Sequence, residues 1–271
     1  MTGRSGLGTA LWYVRLTWFL SGVSLHRLAV YRADFLIGAG SLVVRVACQL
    51  ALLGIIFQQV PALAGWSYHQ VLFLTGFALL PRALDRLFTD QLWILSRDLV
   101  RTGDFHRYLL RPTSPLYTLL SERFLHPDGF GELVIGLAVV GTAAARLDLT
   151  LTPVQWLLLP LLVLCGALIT TSIKVVFAAL SFWTTTSFAA VVAASQPGDL
   201  SGYPLDLFHP SLRRLLTWLL PYAFTAYVPV SYLLFDRSDL LLWLPLVTAA
   251  ALTVAGVVWR RGVDRFEMTG S

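Results

Sequence analysis

Long apolar stretches without charged side chains constrain the fold of this chain more than any other feature. Residues 240–259 carry no charged side chain, and residues 154–180 carry one, Lys174. About 20 apolar helical residues cross a bilayer core, and inside the lipid every backbone polar group must be paired. Charged residues make up 13% of the chain, whereas a soluble domain has about 25%. The sequence therefore predicts an all-α integral membrane protein.

Six apolar segments are predicted to span the membrane within a single transmembrane domain, residues 1–271. A further apolar region, 204–235, is broken by Pro221 and Pro229. If all seven regions crossed the membrane, the two arginine-rich chain ends would lie on opposite sides of it. Arginines close to a span favour the cytoplasmic side, so both ends are expected there and one region should not cross. We expect 204–235 to enter and leave from the exterior; the alternative, that 212–235 crosses and 183–197 does not, is open. The six predicted spans are residues 35–57, 66–84, 130–146, 154–180, 183–197 and 240–259.

The first apolar region, residues 7–32, differs from the spans because basic side chains interrupt it. Arg15, Arg27 and Arg32 alternate with apolar and aromatic residues such as Trp12 and Trp18. This composition is typical of an amphipathic helix that lies in the membrane interface. We expect such a helix on the inner leaflet, with both chain termini in the cytoplasm.

The largest charged island lies between the second and third predicted spans, at residues 93–122. Its charged side chains recur every three to four residues, the spacing of one helix face. Gly103 lowers helix propensity, so one helix and two short helices joined there are both open. We expect a basic cytoplasmic element at residues 93–111. The alternative is an ordinary loop between two spans, whose arginines only reflect the preference of basic residues for the cytoplasmic side. Its candidate site residues are Arg97, Asp98, Arg101, Gly103, Asp104, Arg107, Arg111 and Pro112.

Several local motifs resemble those of ABC-2 type exporter permeases. They are Arg-Asp-Leu-Val-Arg-Thr-Gly-Asp at 97–104, Tyr-Leu-Leu-Arg-Pro-Thr-Ser-Pro-Leu at 108–116, Tyr-Arg-Ala-Asp-Phe at 31–35, and Pro-Tyr-Ala-Phe-Thr-Ala-Tyr-Val-Pro-Val at 221–230. The resemblance implies a coupling helix at 93–111 and re-entrant helices between spans five and six. It also implies a bacterial inner or plasma membrane location, a second permease that is identical or homologous, and two copies of an ABC ATPase subunit.

The chain lacks the motif that would let it bind ATP by itself. A P-loop needs a Gly-x-x-x-x-Gly-Lys-[Ser/Thr] run, yet the only lysine is Lys174, inside a predicted span. We therefore expect a transporter subunit that is not an enzyme and holds no cofactor or metal. The resemblance places ATP and Mg²⁺ on the partner ATPase. The net charge of +5 is interpreted as attraction to anionic lipid headgroups and not to nucleic acid.

Three polar side chains inside predicted spans are candidates for the translocation path: Arg45, Gln49 and Lys174. A charge at mid-depth costs at least about 2.5 kcal/mol, so Arg45 should face protein or water. Packing and a transport role are equally open for it. For Lys174 we favour an ammonium group that extends to the inner surface, with a substrate-facing cation as the alternative.

Two other functional classes stay open on sequence alone. An ion-gradient-driven secondary carrier would use Arg45, Lys174 and a partner acid, but no acid lies clearly within a predicted span. A polytopic membrane enzyme would need His126 with Asp128, or His209 with Asp206, to converge at one depth. The substrate class is also open among drugs, peptides, lipids and polysaccharides.

Overall fold

The computed structural model describes residues 15–17, 22 and 32–269 of the chain. The predicted interfacial helix at 7–32 lies outside these residues, except for the helical positions 15–17, 22 and 32. The described residues form helices joined by short turns and contain no β-strand. This agrees with the predicted all-α class.

Twelve α-helices are present in the described part of the chain. In order they are α1 Arg32–Gln59, α2 Tyr68–Thr89, α3 Gln91–Ile94, α4 His106–Leu109, α5 Pro115–Ser121, α6 Pro127–Arg146, α7 Pro153–Ala179, α8 Ser181–Thr184, α9 Phe188–Asp199, α10 Pro210–Arg214, α11 Tyr227–Phe235 and α12 Leu244–Thr269. Two π-helical turns, Leu95–Leu99 and Leu215–Leu219, and four 3₁₀ turns, Leu200–Gly202, Leu205–Leu207, Tyr222–Phe224 and Leu241–Trp243, connect them.

Local capping explains where α7 begins. Pro153 occupies the first turn, where its missing N–H costs nothing. The Thr152 hydroxyl accepts from the Gln155 backbone N–H at 3.3 Å, and the Gln155 side chain accepts from the Thr152 N–H at 2.9 Å. This reciprocal pair satisfies two otherwise unpaired donors, so the break between the third and fourth predicted spans is encoded locally.

Helix α2 lies at the centre of the bundle, packed against α6 and α7. Its contact with α6 is close because glycines meet there: a Cβ on Gly76 would lie 2.7 Å from Val139 Cγ1. A Cβ on Gly136 would lie 2.9 Å from Leu80 Cδ2. Small residues allow helix backbones to approach closely in membrane proteins. Helix α1 packs on the outside of α6, while α12 and α9 pack on α7.

Four helical segments of the described residues are long and apolar enough to cross a membrane. They are Gly40–Gln59, Pro127–Arg146, Pro153–Thr184 and Leu241–Phe266, and they overlap the predicted spans 35–57, 130–146, 154–180 and 240–259. The predicted count of six is not confirmed. Helix α2, which overlaps the predicted span 66–84, is long enough to cross a membrane, but it contains three charged residues, Arg82, Asp85 and Arg86. Helix α9, from the predicted span 183–197, has 12 residues and rises only about 18 Å.

The region predicted to be broken, 204–235, consists of short helical pieces. Both of its ends lie near Trp66: the ring centroid of Phe235 is 4.8 Å from that of Trp66, and Asp206 accepts at 2.7 Å from the hydroxyl of Tyr227, whose ring centroid is 5.9 Å from that of Trp66. Its middle contacts α9, where the Tyr222 hydroxyl donates to the Ala194 carbonyl at 2.9 Å. We call this side of the bundle the Trp66 end.

Candidate functional site

The charged residues 93–111, which we call the surface element, do not form one continuous helix. Helix α3 passes into the π-helical turn Leu95–Leu99, and α4 follows a tight turn. Gly103 occupies the left-handed region with φ +79°, which glycine adopts without the steric cost of a side chain. The backbone N–H of Phe105 donates to the Leu99 carbonyl at 3.0 Å and closes this turn. The sequence left open one continuous helix or two short helices joined at Gly103. The structure has two short helical segments on either side of the turn at Gly103.

One face of the surface element is anchored in the protein interior. Phe105 is fully buried, and its ring centroid lies 4.9 Å from that of Phe182 and 5.3 Å from that of Phe266. Trp259 completes the cluster at 6.1 Å. Since Trp259 and Phe266 belong to α12, aromatic packing joins the surface element to a long apolar helix.

The opposite face of the surface element carries exposed charge. Asp98 accepts from Arg97 at 2.8 Å and from Arg101 at 3.0 Å, and both arginine side chains are 59% exposed. These two hydrogen bonds hold the pKa of Asp98 below its usual value. Asp104 accepts from the Thr102 hydroxyl at 2.7 Å. The surface element thus exposes two guanidinium groups, and its Leu110 side chain is also exposed.

The other two arginines of the surface element bind Glu122, which follows α5. Arg107 lies 3.2 Å and Arg111 3.6 Å from the Glu122 carboxylate. The hydroxyl of the buried Tyr108 donates to the same group at 2.6 Å. Burial and this hydrogen bond raise the pKa of Tyr108. Glu122 thus fixes the carboxyl-terminal half of the surface element, which ends at the exposed Pro112.

A second set of charges is buried between helices, and Glu132 of α6 is its centre. The Glu132 side chain has no exposed surface, and Arg45 of α1 donates to it at 2.6 Å. Arg86 lies 3.4 Å and Arg82 3.8 Å from it, both on α2. A buried carboxylate is costly unless cations compensate it. Three arginines from two helices supply that compensation.

Lys174 is buried, so the expectation that it extends to the surface is wrong. Its side chain is 8% exposed and forms an ion pair with Asp85 of α2. Its ammonium also donates to the Thr89 hydroxyl at 3.1 Å, and the Thr171 hydroxyl donates to Asp85 at 2.9 Å. Because Asp85 is buried on the neighbouring helix, an ion pair with it is more favourable for Lys174 than extension of the ammonium group into solvent.

Asp128 lies 3.9 Å from Arg86, and Asp199 of α9 lies 2.7 Å from Arg82. With the separate Lys174–Asp85 pair, these groups make up four cations and four acids on five helices, which we call the charge network, and their formal charges cancel. Glu132, Asp85 and Lys174 are buried, whereas the Asp199 side chain is 63% exposed. The members of the charge network are Arg45, Arg82, Asp85, Arg86, Asp128, Glu132, Lys174 and Asp199.

A polar cavity of about 230 Å³ lies within the charge network, between α2, α7, α9 and the Tyr222 region. Lys174 lines it, whereas Arg45 and Gln49 are outside its lining. Gln49 instead lies beside Gly202. Of the three residues predicted for a translocation path, the structure therefore brings only Lys174 to this cavity.

The two histidine–aspartate pairs considered for an enzyme do not converge. His126 lies 3.4 Å from Asp90, whereas Asp128 faces Arg86. His209 accepts from the Ser211 backbone N–H at the start of α10. Within the described residues, no three His, Cys, Asp or Glu side chains are grouped to hold a metal ion.

Asp85, Glu132 and Glu122 are the residues that sequence analysis missed. Two of them carried a local signal. Asp85 lies three residues after Arg82, and Glu132 lies four after Asp128, the spacings that put side chains on one helix face. Glu132 also falls inside the predicted span 130–146, so the statement that no acid lies clearly within a span was wrong.

Comparison with known proteins gives one finding. Residues 43–270 match the family described as "ABC-2 family transporter protein". No curated protein and no solved structure matches the chain. The matched range includes the surface element, the charge network and the broken region 204–235.

Proposed function

The chain belongs to the ABC-2 family of transporter proteins, and from this premise we propose that it is the permease subunit of an ATP-driven exporter. The family match over residues 43–270 carries the proposal. The apolar helices support a membrane location. ATP and Mg²⁺ would be bound by a separate ABC ATPase, because this sequence has no P-loop.

The surface element is the proposed contact with the ATPase. Its exposed Arg97 and Arg101 suit acidic groups on a partner, and the exposed Leu110 suits an apolar groove. Phe105 links the same element to α12. Closure of the ATPase on ATP would push the surface element, and the aromatic contact would pass that motion to α12 as a rigid-body shift.

We propose six membrane crossings, with the Trp66 end outside and both termini in the cytoplasm. Helix α2 would cross despite its charges, because its charged side chains face acids and bases on other helices. Helix α9 with the turn after it would be the fifth crossing. The contacts of Asp206, Tyr222 and Phe235 support a 204–235 segment that enters to mid-depth and returns. Such broken backbone is stable when protein covers it.

The assembled transporter would contain two permeases, identical or homologous, and two ATPase copies in a bacterial plasma membrane. The exposed apolar side chains of α1, including Val43, Val44 and Ile55, suit lipid or a second permease. The chain itself would hold no cofactor, and its arginine excess on the cytoplasmic side would favour anionic lipids.

One experiment tests coupling. Arg101, Gly103 and Asp104 are replaced together by Gln, Ala and Asn, and the complex is reconstituted with its ATPase. We expect ATP hydrolysis to continue while transport falls at least tenfold, because the surface element no longer transmits the motion of the ATPase to the membrane helices. Arg146→Gln, an exposed change at the far end of α6, is the control and should keep transport. Unchanged transport in the triple variant would exclude the coupling role.

A secondary carrier is the second candidate, favoured by one observation. Asp85 and Glu132 are buried acids beside Lys174 and Arg45, the kind of pairing that proton carriers use. Transport by vesicles depleted of ATP, lost when the ion gradient is collapsed, would support the carrier. Transport that needs ATP and survives collapse of the gradient would support the exporter.

A further inference from the structure

Two spaces in the bundle, one with charged lining residues and one without, share the lining residue Ile173. The polar cavity, defined above, is bordered on α7 by Ile173 and Lys174. On the other side of Ile173 lies an apolar groove of about 630 Å³ between α7, α12 and the turn Leu219–Pro221. Ile173 lines both spaces. A single molecule with a polar end and an apolar end could therefore occupy both.

The side chains that line the polar cavity carry a net charge of +1. Three cations line it, Arg82, Arg86 and Lys174, against two acids, Asp85 and Asp199. Both oxygens of Asp85 are already occupied: Oδ1 accepts from Thr89 at 2.6 Å and from Thr171, and Oδ2 is paired with Lys174. Asp85 is thus not available to attract a cationic ligand.

Arg86 has the capacity to bind a new anion. Its distances to Glu132 and Asp128, 3.4 and 3.9 Å, exceed the roughly 2.7–2.9 Å of a charged hydrogen bond. Its side chain is 35% exposed and lines the polar cavity. A guanidinium group presents several donors in a fork that matches phosphate and carboxylate oxygens. Ser195 and Thr225 belong to the same lining, and their hydroxyls donate to the Val192 and Tyr222 carbonyls.

The apolar groove supplies the complementary half. Phe177, Trp218, Trp243 and Val254 line it, and its lining carries no charged residue. An acyl chain buries apolar area there at about 0.8 kcal/mol per CH₂. Because α12 and the exposed Trp218 border it, its occupant would enter sideways from the bilayer.

We propose that the polar cavity and the apolar groove together bind an anionic amphiphile from the membrane, with its acidic head at Arg86 and its tail past Ile173. A purely hydrophilic anion would gain no binding free energy from the apolar groove, and the cations disfavour a positively charged head. That this molecule is the exported cargo rests on the proposed function; the binding itself does not require the ATPase.

Three lipids with the same oleoyl chain test the head preference on the purified full chain in lipid nanodiscs. They are lysophosphatidic acid, lysophosphatidylcholine and monooleoylglycerol, compared by native mass spectrometry. We expect lysophosphatidic acid to bind about tenfold more tightly than the other two, the usual value of one charged hydrogen bond. Glycerol 3-phosphate, which has the head but no tail, should not compete at the same concentration.

Matched variants locate the site. Arg86→Gln should remove the preference for lysophosphatidic acid, whereas Arg146→Gln should keep it. Ala250 lines the apolar groove. Ala250→Trp fills that groove and should weaken the binding of all three lipids. Ala249→Trp, also exposed but outside that lining, is its control.

Several outcomes would overturn the proposal. They are equal binding of the three lipids, equal effects of the two tryptophan variants, and full competition by glycerol 3-phosphate. Selective binding by a chain that neither associates with an ATPase nor transports would keep this site and refute the exporter. ATP-driven transport without selective lipid binding would support the exporter and refute this binding site.

Discussion

The surface element and the charge network contain the same kinds of side chain in opposite surroundings. Arg97 and Arg101 pair with Asp98 in water, where screening leaves such pairs little net value. Arg45 and Arg82 approach Glu132 where the acid has no exposed surface. There the loss of one partner leaves an uncompensated buried charge. The exposed charges therefore add little to the stability of the fold, whereas the buried ones hold helices together.

The largest effect should come from Glu132. Glu132→Ala leaves Arg45, Arg82 and Arg86 without their shared acid, and we expect a loss of about 3–5 kcal/mol of stability. The measurement is the thermal unfolding midpoint in detergent. Asp239→Asn, a change in an exposed acid, is the control. A midpoint equal to that of the control would remove the distinction between the two regions.

A double-mutant cycle at Lys174 and Asp85 should give the next largest effect. Lys174→Met alone leaves a buried carboxylate and should cost about 3 kcal/mol. The double variant with Asp85→Leu removes both charges and should recover most of that loss. Denaturant unfolding of the four proteins measures the coupling energy. Additive losses would show that the two charges act independently.

Gly103 should show a smaller effect, confined to the surface element. Gly103→Ala puts a side chain at φ +79° and should cost about 1–2 kcal/mol. Gly141→Ala, in α6 with open space around the new methyl group, should instead stabilise by up to about 1 kcal/mol. Thermal midpoints that shift in opposite directions would confirm the turn. Shifts in the same direction would contradict it.

The smallest effect on folding is expected at Arg97 and Arg101. Their replacement by Gln should lower the unfolding midpoint at pH 7 only slightly, because solvent already screens these pairs. This small difference between parent and variant should disappear below pH 4. The lowered pKa of Asp98 gives stability above the ordinary value near 3.9, and this stability is lost as pH falls through the folded value. Midpoints measured from pH 7 to pH 3 should show this loss only in the parent.

Local patterns predicted much of this molecule. The apolar runs gave the positions of α1, α6, α7 and α12, and the low helix propensity of Gly103 gave the break in the surface element as one of two open forms. These features depend on a few neighbouring residues, through propensity and capping.

The buried pairings could not be predicted in the same way. Lys174 meets Asp85 across 89 residues, and Arg45 meets Glu132 across 87. Which acid faces which base depends on how α2 packs against α6 and α7. A helix-face pattern alone identifies candidates such as Arg82 and Asp85 but not their partners. The same holds for Tyr222, whose contact with Ala194 joins two separate segments.

The surface element is the proposed contact with a separate ATPase. A photo-crosslinking residue at position 101, introduced into the chain in its native membrane, tests this contact. We predict that light joins the chain to a P-loop ATPase from position 101 and not from position 146. Capture from position 146 alone, or labelling of position 101 by a membrane-impermeant reagent added outside intact cells, would contradict the account.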